Sequence, residues 1–276
     1  MSTTPSSVRS LQEIWETADV SHTPRPLEFG VSEIDAAFSG GLSCGKLYEV
    51  YGEPGAGKTQ LALTLVAQKL ISIHLNKGDE IIIYLHSTGT FPIERLCEVI
   101  DGKLRAQQYE SNVDSSLIRA ILRNLRIDKV VDPPGLISKL VNFQSNVKDA
   151  TKVSDQPPAC ISSQVAFLLK RLAFQMQMSV LVVNEVSGTP ENNVMGVRPV
   201  AAISTTLNNA SRSKPALGDT WTQSLNCRVA MYHTKNIITT RRFIQIAFCA
   251  NAPSSDPIPI VINNRGVDTG TSDHAR

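Results

Sequence analysis

The pattern of apolar and polar positions tightens abruptly at Leu27. Before it, residues 1–26 are rich in Ser, Thr and Pro, and only Val8 to Ala18 carry apolar residues at helical spacing, through Leu11, Ile14 and Trp15. Such a segment predicts a flexible N-terminal arm. Beyond Leu27, Ser32 is placed to cap a short helix holding Ile34, Ala37 and Phe38, which Gly40-Gly41 ends, and Leu47 to Tyr51 reads as a strand. Residues 59–75 set Leu61, Ala62, Leu65, Val66, Ile71 and Ile73 around most of a helical circumference, so this helix is expected to be buried on nearly all sides. Ile81-Ile82-Ile83-Tyr84-Leu85 is a continuous apolar run of the kind a parallel sheet requires, and strand, helix and strand make one βαβ unit.

Ile161, Val165, Leu168, Leu172 and Met176 fall on one helical stripe and lead into Val180-Leu181-Val182-Val183, a second such unit. The last third changes character. Cys227 to Tyr232 and Arg241 to Cys249 flank a turn near Lys235-Asn236, and Ile258 to Ile262 ends in Asn263-Asn264-Arg265-Gly266, which predicts antiparallel edge strands. Residues 144–160, with Pro157-Pro158, and residues 187–214, rich in Asn, Ser, Thr and Ala, read as surface loops. The expected fold class is α/β, a mostly parallel sheet flanked by helices with antiparallel C-terminal edge strands. One domain is expected over residues 27–270, with 271–276 as a disordered tail.

One stretch carries explicit chemistry. Gly52-Glu53-Pro54-Gly55-Ala56-Gly57-Lys58-Thr59 is a full G-x-x-x-x-G-K-[ST] phosphate loop, set between the predicted strand and the predicted helix. In that setting the glycines let backbone N–H groups converge on phosphate oxygens, Lys58 reaches the β- and γ-phosphates, and the Thr59 hydroxyl is placed for Mg²⁺. The four fixed residues arise by chance in about one chain in a hundred of this length, and the strand–loop–helix context makes an ordinary Gly-rich turn rarer still. Nucleotide binding is therefore the firmest functional expectation.

Composition narrows the setting. At 276 residues, with 42% hydrophobic and 19% charged positions, the chain has the makings of a sizeable core, and a net charge of +2 does not announce a nucleic-acid partner. The five cysteines include no C-x-x-C pair, which argues against a zinc knot or a disulfide framework and for reduced thiols inside a cell. No apolar stretch approaches 18 residues and no secretory signal opens the chain, so no membrane association is expected.

The order of motifs resembles the RecA-type recombinases, and among them the eukaryotic DNA-repair paralogues of the strand-exchange recombinase. Phe29-Gly30 through Ile34-Asp35 and Gly40-Gly41-Leu42 is similar to that family's approach to the phosphate loop, and Gln60 directly after Thr59 is similar to its version of the loop's end. Gly89-Thr90-Phe91 with Glu94-Arg95-Leu96 resembles the segment after the second core strand, and Pro215-Ala216-Leu217-Gly218 with Trp221 and Arg228 the segment after the DNA-facing loop. The resemblance spans about Phe29 to Gly266. It implies a RecA-like core and a nucleotide site formed by Gly52 through Gln60. ATP and Mg²⁺ would be the cofactors and the nucleus the location. The implied partners are related paralogue subunits, the main recombinase and single-stranded DNA.

Three departures qualify that implication. Active family members hold an acidic residue just before Gly-Thr-Phe to polarise the attacking water, whereas this chain has His86-Ser87-Thr88, and Thr88 cannot serve as that base. His86 is the one substitute at hand. The family's apolar strand ending in an Mg²⁺-binding Asp would fall between about 140 and 160, where Asn142 to Pro158 is polar and proline-bearing, so the sheet is expected to lack an inner strand. Asp132 and Glu185 are the remaining acids at strand ends. Finally, Ser187 to Lys214 stands where the family keeps its DNA-lining loop. Arg198, Arg212 and Lys214 are its candidate phosphate contacts and Asn192, Asn193, Asn208 and Asn209 its polar ones, yet no aromatic residue is available for base stacking, and Arg241-Arg242 reads as an exposed strand start.

The function expected is an ATP-binding recombination accessory subunit with weak or absent turnover. The alternatives are a DNA-dependent ATPase that exchanges strands itself, with Lys58 and Thr59 catalytic, and a small-molecule kinase, against which Gln60 and the late antiparallel strands speak.

Overall fold

A computed structural model of the chain describes residues 25–107, 114–145, 160–187, 214–235, 240–250 and 252–270. Its elements are α1 (Ser32–Ala37), β1 (Leu47–Gly52), α2 (Lys58–Leu75), β2 (Ile82–His86), α3 (Ile93–Ala106), α4 (Ser115–Leu122), β3 (Leu125–Lys129), α5 (Pro133–Ser145), α6 (Ile161–Gln175), β4 (Val180–Asn184), β5 (Val186–Ser187), β6 (Lys214–Pro215), α7 (Gly218–Thr222), β7 (Cys227–Lys235), β8 (Thr240–Cys249), β9 (Ile258–Asn263) and β10 (Gly266–Thr269). The predicted arm over Val8 to Ala18, most of the two predicted loops and the tail 271–276 lie outside the described residues.

β1 is the centre of a six-stranded sheet ordered β10-β9-β8-β7-β1-β4. Every residue of β1 is buried, as its position between two parallel neighbours, β4 and β7, demands. β8, β9 and β10 then add antiparallel. This corrects one expectation: Cys227 to Tyr232 belongs to an inner strand parallel to β1, and the antiparallel part begins only with β8.

Helices cover both faces. Leu61 and Leu65 of α2 pack with Phe29, Ile34 and Phe38 against Tyr48, Val50, Val229 and Ile244, while Leu140 of α5, Val165, Leu168 and Leu172 of α6 and Trp221 of α7 pack with Leu47 in a separate cluster. A third cluster uses the rest of α2, through Leu63, Val66, Ala67, Leu70 and Ile71, against α3, α4, Ile82, Tyr84 and Leu125. The all-round burial of α2 expected from its sequence is thus divided between two sheets. β2 pairs only with β3, in parallel, and β4 only with β1 among the described residues, so the first βαβ unit does not close within one sheet. Most of residues 140–160, where the missing inner strand would fall, lies outside the described residues. The break leaves Ile83 of β2 and Val183 of β4 exposed although their runs are apolar.

Two local details also differ from expectation. Ser32 is the first residue of α1 and does not cap it; its hydroxyl donates to Glu33, while the Asp35 carboxylate accepts from the N–H groups of Phe29, Gly30 and Val31 at 2.7, 2.9 and 3.0 Å and closes the turn. A carboxylate has the acceptor capacity to take all three N–H groups of that turn at once. Residues 133–145 form α5, a helix that the sequence reading does not assign. Proline at the first turn of a helix removes no hydrogen bond, and Leu136, Ile137 and Leu140 supply its packed face.

Lys103 on α3 is buried, with its ammonium donating to Phe29 O at 3.0 Å and Gln68 Oε1 at 2.9 Å. Burial pushes its pKa down to about 8, against the opposing pull of Asp268 and Asp35. An unfolded lysine keeps its proton to about pH 10.4, so between pH 8 and that value the unfolded chain binds more protons and stability rises with pH. Urea midpoints are expected to climb between pH 8 and 9.5, and Lys103→Met to flatten that climb; identical slopes for the two proteins would refute the assignment.

Candidate nucleotide site

β1 delivers the phosphate loop at its carboxyl end, in the crevice where parallel sheets bind ligands. Gly52, the last strand residue, pairs with Met231 of β7, whose carbonyl oxygen would lie 1.9 Å from any Cβ placed on it. Only glycine fits there. Gly52→Ala is expected to cost about 1–3 kcal/mol in urea denaturation, because backbone rather than a flexible side chain must move; an unchanged midpoint would mean β7 is looser than described.

The chain then turns through Gly55 at φ +82° and Gly57 at φ +106°, both in the region that side chains disfavour. Ala56 is buried and its N–H donates to Glu53 O at 3.2 Å. Gly57 is the N-cap of α2, no side chain caps that end, and its first turn contains no acid. Partial positive charge at a helix start is therefore left for a ligand. Glu53, Pro54 and Thr59 are exposed around the opening, Thr59 in the first turn.

Lys58 is the buried cation of the site, 6% exposed. Its ammonium donates to Gly52 O at 2.7 Å, to Glu53 O at 3.0 Å and to Glu185 Oε2 at 3.0 Å. Glu185, directly after β4 and 62% exposed, is thus brought to the loop by β4 lying beside β1. Asp132 is not. Its Oδ1 accepts from Gly135 N at 2.7 Å and starts α5. His86 ends β2 in the other sheet, with Nδ1 3.5 Å from Thr88 O, and Ser87 to Thr90 beyond it are exposed and carry no carboxylate.

Arg95 and Arg242, which the sequence did not nominate for the site, converge on it. Gln60 Oε1 accepts from Arg95 Nε at 2.9 Å, and Arg95 also donates to Asn263 O at 2.5 Å, which ties the first turn of α2 to α3 and to the end of β9. Arg242 of β8 places its Nε 3.2 Å from Gly55 O, so the expected exposed strand start instead leans on the phosphate loop. No spacing rule points from residue 242 to residue 55; only the strand order does.

Beneath the loop lies a buried polar cluster. Glu49 in the middle of β1 is fully buried, accepting from Asn184 Nδ2 and Trp221 Nε1 at 2.8 Å each and from Arg228 Nε at 2.5 Å. Arg228 donates further to Thr222 Oγ1 at 2.8 Å, and its guanidinium carbon lies 5.6 and 5.8 Å from the ring centres of Tyr51 and Phe248. Burial raises the pKa of the Tyr51 phenol, with Arg228 working against it. Asn184 immediately precedes Glu185, and Ala216 N donates to Glu185 O at 2.9 Å, so the backbone carrying Glu185 is fixed from both sides. The signal in the sequence was the lone carboxylate in the apolar run Leu47 to Tyr51. Lys214 lies in β6, paired with β5 through Ser187, while Arg198 and Arg212 lie outside the described residues.

Residues 26–144 match the Rad51 family. That segment, under half of the chain, is where the family likeness lies. The chain is 28% identical to human DNA repair protein RAD51 homolog 2 over 84% of this chain and 65% of that protein, which is just under two thirds of the relative's length. It is 23% identical to the Arabidopsis thaliana DNA repair protein XRCC3 homolog over 85% of this chain and 84% of that one. Among solved structures, the RadB recombinase superposes with a TM-score of 0.61 at 16% identity, covering 89% of this chain and all of that one. That likeness bears on the fold, a RecA-like α/β core, and agrees with the strand pattern above. Both relatives are DNA repair proteins by name. No helix of the described residues is long and apolar enough to cross a membrane.

Proposed function

We propose that this protein is an ATP-binding recombinase paralogue that assists homologous recombination and double-strand break repair in the nucleus, as a subunit of a hetero-oligomer. On this reading residues 27–270 are one nucleotide-binding domain. One observation carries it: a formed phosphate loop with a buried Lys58 occurs in a chain whose β2 end offers no carboxylate. The residues fit the cofactor. Two left-handed glycines, an uncapped helix start and a buried ammonium are what a triphosphate needs, so the loop N–H groups and Lys58 would hold the phosphates. Thr59 and Glu185 would be the residues to hold Mg²⁺, which supplies neutralisation of phosphate charge when bound.

Phosphoryl transfer depends on positioning and on a group that orients the attacking water, and the carboxyl end of β2 lacks one. ATP then acts chiefly as a ligand that stabilises the bound state by mass action. The names of the relatives support partners among related paralogue subunits; the main recombinase and single-stranded DNA are further partners on this reading, with Arg198, Arg212 and Lys214 as the residues that would meet phosphates. Phe167 and Phe174, two turns apart on α6 and both exposed, favour a protein partner as well. The test sets ATP affinity in Mg²⁺ beside phosphate release with and without single-stranded DNA. Tight binding with negligible release supports the reading, and DNA-stimulated release at recombinase rates replaces it with the strand-exchange ATPase.

A further inference from the structure

Lys58 spends all three of its ammonium protons on acceptors the protein itself provides: two loop carbonyls and the Glu185 carboxylate. A triphosphate reaching the loop needs that ammonium, and of the three acceptors only Glu185 sits on a side chain free to rotate, being largely exposed at its tip. Its main chain cannot follow. Asn184 is pinned to Glu49 on one side and the Glu185 carbonyl is held by Ala216 N on the other. A displaced Glu185 therefore remains within side-chain reach of the phosphates that displaced it, anion beside anion and well inside a Debye length. A divalent cation between carboxylate and phosphate turns that repulsion into coordination, since hard cations take carboxylate and phosphate oxygens together.

We infer that Glu185 makes this site selective for the Mg²⁺ complex of a nucleoside triphosphate over the metal-free triphosphate, by competing with the latter for Lys58. The inference rests on the reading that ATP binds at Lys58. It concerns a specificity-determining side chain, because the loop alone, with its helix start and ammonium, attracts phosphate whether or not a metal accompanies it.

The experiment measures, by calorimetry on the full chain, the affinity for ATP in excess Mg²⁺ and for ATP in EDTA. Wild type is expected to prefer the Mg²⁺ form by about tenfold or more. Glu185→Gln keeps the size and the exposed position but removes the charge, so it should tighten metal-free binding by about tenfold and shrink the preference to about threefold or less. Glu185→Asp, a shorter carboxylate, should retain a preference. An unchanged Mg²⁺ preference in Glu185→Gln overturns the inference while leaving the nucleotide site in place. Absence of ATP binding by wild type under both conditions overturns the inference together with the reading beneath it, and equal thermal melting of the variants without nucleotide excludes a folding defect.

Discussion

Lys58→Ala is expected to weaken ATP binding by about a hundredfold or more while the protein still folds. The ammonium is the one buried cation in the loop, and its hydrogen bonds to phosphate oxygens are charge-assisted, each worth about 1.5–3 kcal/mol net. Losing two of them corresponds to at least about 2.7 kcal/mol, which is a hundredfold in affinity. The structural cost is smaller. Gly52 O and Glu53 O lose a donor, at about 1 kcal/mol, and Glu185 is free to turn into water. Lys58→Arg should be nearly as damaging, because a planar fork cannot occupy the place of a compact ammonium between two loop carbonyls. Calorimetric titration with ATP, set beside melting in its absence, separates binding from folding. An alanine variant that binds as wild type does would remove the basis for placing a nucleotide here.

Arg228→Ala is expected to produce the largest loss of stability, about 3–5 kcal/mol. Glu49 is fully buried in the central strand, and removal of its guanidinium partner leaves a carboxylate with two neutral donors and no counter-charge. The stem and fork of Arg228 also fill the space between Tyr51 and Phe248, so the variant loses packing too. The double variant Glu49→Gln with Arg228→Met removes both charges and keeps most of the volume. It should recover at least half of the loss, because breaking a buried pair costs far more than replacing it. Urea denaturation of the single and double variants decides the matter: a double variant as unstable as Arg228→Ala would assign the effect to packing alone.

Much of the fold was legible because the forces that set it are local. A continuous apolar run, an all-round apolar helix and the fixed loop between them located β1, α2 and the phosphate site, and the periodicity of α6 and β4 was equally plain. What stayed hidden depends on partners distant in sequence. Arg242 belongs to the site only because β8 lies two strands from β1, and the role of Glu185 follows from β4 pairing with β1 rather than from its neighbours in the chain. Trp221 and Arg228 were recognisable as parts of a familiar pattern, but their common purpose, donors for one buried carboxylate, required three elements to be brought together. Ser32 misled because a hydroxyl before an apolar run is an ordinary helix cap, whereas no side chain caps α1 and Asp35, three residues on, instead ties down the turn that precedes it.

The separate β2–β3 pair has a dynamic consequence. Among the described residues it meets the remainder of the fold through α2, α3 and α4 rather than through sheet hydrogen bonds, and its apolar residues Ile83 and Ile127 are exposed. Regions with fewer buried contacts and more solvent-facing amides open at lower free energy than the centre of a protein. Amide hydrogens of Ile82 to His86 and Leu125 to Lys129 should therefore exchange with deuterium well before those of Leu47 to Gly52, so that thermal fluctuation first peels away the outlying ribbon and only later reaches the strand that feeds the phosphate loop.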